Sequence, residues 1–203
     1  MLSDIVIPNN NETEYMELAS KLGFKKINFL YEFNESNQEN QKKFGHIKNK
    51  KIHIGIGFIV NSKNINQALW QSKLIVVRSS DKDRIFIEMG KIKLIYGFEE
   101  IQKKDYMHQR ASGLNHTACE LAKKNNVAIG FSYSTLLSKS SAPLLIGRMM
   151  QNISLCQKYK VKTIIGSFSS NPYEMRAPHD IISLFTLFGM NSKTARDSIY
   201  YDL

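Results

Sequence analysis

The sequence predicts an α/β fold, a TIM-like (β/α) barrel of about seven parallel strands. Three observations carry this expectation. Short apolar runs alternate with amphipathic stretches along nearly the whole chain, and strands separated by helices pair in parallel through crossovers. Residues 74–77, Leu-Ile-Val-Val, are continuously apolar, as in a strand buried on both faces. Packing this many units into 203 residues requires short connections. Both a barrel and an open doubly wound sheet meet that requirement, and the barrel fits better. There is no linker rich in Pro, Gly or Ser and no short fixed repeat, so residues 1–203 read as a single domain.

The elements follow in order. Asp4 to Pro8 is a short apolar strand stopped by proline, and a helix over 12–22 ends at Gly23, where a left-handed backbone is needed. Lys26 to Phe33 is the next strand. Residues 34–50 are polar and carry no hydrophobic stripe, which suits a solvated surface helix or a mobile loop. Ile52 to Val60 is strand-like, a helix spans 64–72, and the 74–77 strand follows. A short helix over 81–89 leads to a strand over 93–98. In the second half, Leu114, Ala118, Leu121 and Ala122 share one helix face, and Val127 to Phe131 is a strand. Leu145, Met149, Ile153, Cys156 and Tyr159 mark a long amphipathic helix before the strand 163–167. Pro178 opens a last helix whose residues Ile181 to Phe188 are apolar on more than one stripe, which suggests full burial more than a partner surface.

Lys and Arg number 28 against 18 Asp and Glu, a formal charge of +10, which points to a polyanionic partner. The hydrophobic fraction of 42% supports a core and excludes global disorder. Cys119 and Cys156 lie in helical segments and read as small core residues in a reducing compartment. The chain lacks a signal-peptide pattern at its start, and no apolar run reaches the roughly 20 residues of a membrane span, so a soluble cytoplasmic protein is expected.

A metal-dependent phosphoesterase is the obvious enzyme on such a barrel. It needs clustered His, Asp and Glu at strand ends, with an H-x-H pair on the first strand. The first strand here offers Asp4-Ile-Val-Ile-Pro8 instead. His46, His53, His108, His116 and His179 are scattered singly, and His53 reads as a buried or interfacial histidine. Gly55-Ile-Gly57 lacks the third glycine of a phosphate loop and lies within a strand pattern, so it marks close backbone approach. No catalytic residue and no metal or cofactor ligand is assigned.

The basic residues group instead. Lys42, Lys43, Lys48, Lys50 and Lys51 fall within ten residues, a solvated loop or a phosphate-binding patch whose binding would be steeply salt-sensitive. Arg78, Ser79, Lys82 and Arg84 follow the buried 74–77 strand, on what would be the barrel rim. Arginine with neighbouring hydroxyls suits phosphate. The segments 132–135 and 167–171, the first followed by Lys139, are similarly rich in hydroxyls and poor in acids, which favours an anion-binding rim over a metal-binding one.

Several segments carry a family resemblance. Leu114-Asn-His116, Leu121-Ala122 and Asn126-Val-Ala-Ile-Gly-Phe-Ser132 occur in order, followed by Leu155-Cys-Gln-Lys-Tyr-Lys-Val-Lys162, Met175-Arg-Ala-Pro-His-Asp-Ile181 and Phe188-Gly-Met190. This series resembles the archaeal ribonuclease P protein component 3 family. The resemblance implies a PHP-like barrel without the metal ligands of its phosphoesterase relatives. It also implies a non-catalytic subunit of an endoribonuclease ribonucleoprotein that removes the 5′ leader from precursor tRNA. The RNA would carry the chemistry with Mg2+, and ribonuclease P RNA and component 2 would be direct partners. Arg148 and Arg176 match the family pattern and are carried over as RNA or partner contacts, Arg176 alternatively as a structural residue closing the barrel. His179 and Tyr133-Ser134-Thr135 depart from it where arginines are common.

Overall fold

Parallel pairing in chain order is what the strand–helix alternation demands, and it is what forms. The computed structural model describes residues 1–33, 52–138 and 142–201. Its strands are β1 (Ser3–Val6), β2 (Lys26–Glu32), β3 (His53–Ile59), β4 (Leu74–Arg78), β5 (Leu94–Tyr96), β6 (Ala128–Ser132) and β7 (Thr163–Gly166). They lie side by side in that order, every neighbouring pair parallel. Around them run α1 (Glu12–Leu22), α2 (Ile65–Gln71), α3 (Asp83–Met89), α4 (His116–Lys124), α5 (Thr135–Ser138), α6 (Ala142–Tyr159), α7 (Pro178–Leu187) and α8 (Ser192–Asp197). Among the described residues, no helix is long and apolar enough to cross a membrane.

Local chemistry sets the boundaries. Gly23 closes α1 at φ 89°, a conformation that costs glycine nothing. The Asn115 side chain caps α4 by accepting from the Ala118 N–H at 2.8 Å. The strand expected over 93–98 stops at Tyr96, because Gly97 at φ 86° turns the chain into a 3-10 turn over Phe98–Glu100. α5 and α8 escape sequence reading because four and six residues are too few to show a helical period.

Strand alternation divides the apolar residues into two layers. Ile5, Leu30, Leu74, Val76, Leu94 and Ile164 pack inside the barrel, while Ile27, Phe29, Val77, Ile95, Phe131 and Ile165 face the helices. The interior is filled by matching large residues with glycine. A Cβ on Gly55 would sit 2.1 Å from Asn28 Oδ1, one on Gly57 2.5 Å from Leu74 Cγ, and one on Gly130 2.8 Å from Tyr96 Cβ. The Gly55-Ile-Gly57 pair is thus close packing within a sheet, as expected. Cys119 and Cys156 are buried, as expected. α7 departs from expectation. Ile181, Phe185 and Phe188 enter the core, but Leu187 is 79% exposed, since a helix outside a barrel keeps a solvent face.

β1 and β7 must meet to close the ring, and they do so without a regular ladder. Phe168, just past β7, sits at φ 50°, which breaks strand geometry. Phe168 N–H still donates to Ile5 O at 2.7 Å and Ile7 N–H to Ser169 O at 2.9 Å. The Asp4 carboxylate bridges the remaining gap. Its Oδ1 accepts from Ile5 N–H and Ser167 N–H, each at 2.8 Å, and its Oδ2 from the Tyr133 hydroxyl at 3.1 Å. At the opposite end the segment 198–201 wedges between the two strands. Ile165 N–H donates to Ser198 O at 2.9 Å, Ser3 N–H to Ile199 O at 3.0 Å, and Leu2 bridges Tyr200. The Tyr201 ring joins the inner cluster.

Asp4→Ala strands two buried N–H donors and the Tyr133 hydroxyl. At about 1–3 kcal/mol for each unsatisfied buried group, urea unfolding should show a loss of at least about 3 kcal/mol at unchanged m-value. Asp4→Asn, which keeps one acceptor oxygen, should lose less.

Candidate nucleic-acid interface

In barrels of this class the reactive end is the mouth formed by the C-terminal ends of the strands. Here that mouth is filled. Tyr96, the last residue of β5, stacks on Phe168 with ring centroids 4.3 Å apart and planes 11° from parallel. Ile7 and Ile59 pack onto the same inner cluster. Asp4, which occupies the strand expected to carry an H-x-H pair, faces the β1–β7 seam. Among the described residues no group of three or more His, Cys, Asp or Glu is placed to hold a metal ion. His53, His108, His116 and His179 are exposed, so the buried reading of His53 is corrected: it stands on the surface at the start of β3.

The rim segment after β4 brings Arg78, Ser79, Lys82 and Arg84 together, but in a balanced electrostatic setting. Arg78, the last residue of β4, is ion-paired with Glu100 at 3.3 Å. Arg84 on α3 is paired with Glu88, one turn on, at 2.7 Å. Ser79 was expected to offer its hydroxyl to phosphate, and instead donates it to Asp83 Oδ2. The other Asp83 oxygen accepts from Ser80 N–H at 2.7 Å, which pins the turn into α3. Lys82 is exposed. A groove of about 380 Å³ beside this segment is lined by Asp81 and Asp83 as well as Arg84. The acid-poor rim expected from the sequence is therefore corrected: carboxylates arrive from α3 and from the loop after β5.

The hydroxyl-rich segments after β6 and β7 are corrected for a different reason. Ser132, Ser134, Ser167 and Ser169 are buried. Ser132 Oγ donates to Ser167 O at 2.9 Å, Ser167 Oγ to Ile5 O at 3.0 Å, and Ser169 Oγ bonds Glu174 Oε2. These hydroxyls close the barrel and do not face a ligand.

Arg148 is also corrected. The resemblance placed it at an RNA or partner contact, yet it is 1% exposed within α6. Its Nε donates to Asp105 Oδ1 at 2.8 Å, and its Nη1 to Glu99 O at 2.8 Å and Gln102 O at 2.6 Å. Asn152, one turn further along α6, donates to Glu99 Oε1 and to Ser112 O, both at 2.9 Å. The pair clamps the long connection between β5 and α4 against α6. Burying a guanidinium is tolerable because a carboxylate and two carbonyls receive it. Arg176 is exposed and donates from Nη1 to Tyr173 O and Met175 O, so it braces its own loop and, among the described residues, has no acidic partner. Lys42, Lys43, Lys48, Lys50, Lys51 and Lys139 lie outside the described residues.

Sequence reading missed the Tyr96–Phe168 plug and the Glu99–Asn152 clamp. Glu99 follows the apolar run 94–98 but opens a largely polar one, 99–105, so nothing in the sequence marks it as the acid that is buried.

Comparison with known proteins adds the following. The family described as RNase P subunit p30 matches residues 101–202. Ribonuclease P protein component 3 of Thermococcus kodakarensis is 30% identical over 146 residues, covering 70% of this chain and 60% of that protein. Its counterpart in Thermococcus gammatolerans is 35% identical over 101 residues, covering 49% and 44%. The chain thus spans about half the length of these curated relatives. Among solved structures, a chain of archaeal ribonuclease P with mature tRNA superposes with a TM-score of 0.75 at 19% identity, covering 98% of this chain and 88% of that one. The zinc-containing histidinol phosphate phosphatase of Lactococcus lactis superposes with a TM-score of 0.62 at 9% identity, covering 93% and 94%. Both likenesses show the shared barrel.

The clamped loop opens the matched stretch, and its acid gives a pH signature. Burial raises the Glu99 carboxyl from 4.5 to about 7 and the Asp4 carboxyl from 3.8 to about 6. Each holds its proton in the fold at pH values where the unfolded chain has released it. Their contribution is therefore complete below the unfolded values and is lost as pH rises through the folded ones. The urea midpoint should fall between about pH 4 and about pH 8. Glu99→Gln keeps an acceptor for the Asn152 amide. It should match the wild type near pH 4 and exceed it by on the order of 3 kcal/mol near pH 8. Equal pH dependence in both proteins would sink this assignment.

Proposed function

Because the chain belongs to the RNase P subunit p30 family, we propose that it is a protein subunit of ribonuclease P. In this role it supports the catalytic RNA in removing the 5′ leader from precursor tRNA and is not itself the catalyst. The match over residues 101–202 carries the reading. Its support from the molecule is the Tyr96–Phe168 stack, which sits at the mouth where a phosphoesterase of this barrel class would place its substrate. Mg2+ would act on the RNA. The partners proposed are ribonuclease P RNA and component 2, with precursor tRNA met indirectly. The second reading, a diverged metal-dependent phosphoesterase, rests on the fold likeness to the histidinol phosphate phosphatase.

Reconstitution separates the two. Cleavage of precursor tRNA by the cognate RNA and component 2 should rise at least about tenfold, roughly 1.4 kcal/mol in the barrier, when this chain is added. The chain alone should cleave nothing. Unchanged cleavage with and without the chain refutes the subunit reading, and phosphatase activity that chelation abolishes would establish the other.

A further inference from the structure

Seven parallel strands all begin at one end of the barrel, so the residues leading into them share a single face. Lysine recurs there. Lys25 precedes β2, Lys73 precedes β4, Lys93 precedes β5 and Lys162 precedes β7, and all four are exposed. The helices run back against the strands, so their last turns reach the same face. Between the ends of α4 and α6 a groove of about 530 Å³ is bordered by Lys123, Lys124, Lys158 and Lys160, with Tyr159 and Glu120. The Lys158 ammonium stands 5.6 Å from the centre of the Tyr159 ring.

This face differs from the rim in kind. The rim arginines Arg78 and Arg84 are each neutralised by a glutamate. Among the described residues, none of the eight lysines named above is paired with a carboxylate. The acids on these helix ends are few: Glu88, held by Arg84, Glu120, and Asp197 at the end of α8. The rim and its loops carry Asp81, Asp83, Glu100, Asp105 and Glu174. Much of the net charge of +10 thus finds an unpaired outlet at the end of the barrel away from the mouth.

We propose that this N-terminal face is the surface on which the chain binds RNA, through phosphates lying across the lysines that precede the strands and in the Tyr159 groove. The proposal rests on the reading that the chain works on RNA, and goes beyond it by moving the contact from the rim to the opposite end. Lysines are point charges without the planar fork of arginine, so they hold a backbone without reading bases. Binding here is insensitive to sequence and steeply sensitive to salt, the behaviour of a brace for a folded RNA.

The test compares the variant Lys73→Gln/Lys93→Gln/Lys124→Gln/Lys162→Gln with Arg78→Gln/Arg84→Gln, each checked for wild-type thermal unfolding. Binding to the cognate ribonuclease P RNA is measured across a salt series. The four-lysine variant is expected to lose about tenfold or more in affinity and to flatten the slope of log K against log salt by about 3. The arginine variant should change both less. Lys93→Gln and Lys162→Gln singly should each flatten the slope by just under about 1, which keeps the test decisive if the combined variant misfolds. Wild-type affinity and slope in the lysine variants, with cleavage still raised by the unmodified chain, overturns the surface and leaves the subunit reading standing. Lysine-dependent RNA binding without any rise in cleavage does the reverse. Tighter lysine-dependent binding to phosphatidylserine vesicles than to RNA would overturn the proposal in favour of a lipid surface.

Discussion

The join between β1 and β7 governs this molecule. A parallel sheet left open exposes two edges of unpaired N–H and C=O groups, and closure removes them. Closure here cannot use a regular ladder, because Phe168 leaves strand conformation at the seam. One carboxylate supplies what the ladder lacks: Asp4 accepts from Ile5 N–H on β1 and from Ser167 N–H just past β7. Burial raises its proton affinity, and those two N–H donors and the Tyr133 hydroxyl pull the other way. A buried acid is tolerable only in such a setting.

The same seam settles the chemistry of the mouth. The backbone turn at Phe168 that interrupts the ladder also throws its ring inward onto Tyr96. The hydroxyls of Ser167 and Ser169, which in another barrel could face a ligand, are consumed holding this turn. The fold is shared with a zinc-containing phosphatase while the end that would act on a phosphate is packed with side chains. What remains for interaction is surface, and among the described residues its charge is unevenly distributed: acids and bases mixed around the rim, with Arg78 and Arg84 paired, and mostly lysine at the other end.

The fold was legible in the sequence because it rests on long-range repetition. Apolar runs separated by amphipathic stretches fix the class, and Gly23, Pro178 and the 74–77 run fix boundaries with local chemistry. The site was legible only in part. A basic residue after a strand is visible as such, but whether a carboxylate from another element reaches it is not, so Arg78 and Arg84 looked freer than they are. Arg148 looked like a contact because it matches the family pattern, and its partners Glu99 and Asp105, which bury it, lie more than forty residues away in the chain. Serine runs after strands suggest anion binding equally whether their hydroxyls face out or in. The lysines that precede the strands, by contrast, could have been collected from the sequence once parallel pairing was accepted.

The wedge of residues 198–201 between β1 and β7 also has a temporal meaning. During synthesis β1 is made before the other six strands and can pair with β2 as soon as that strand emerges, but its other side stays open until residues 198–201 have been translated. Residues made after all seven strands are the ones that lock the first strand. Folding therefore ends with a contact of very high sequence separation, the slowest kind to form. Until then a partly wound sheet carries a bare edge able to join another nascent chain. In the cell, a protein built this way depends on translation passing residues 198–201 quickly, and a ribosome stalled before Ser198 would release a sheet without its lock.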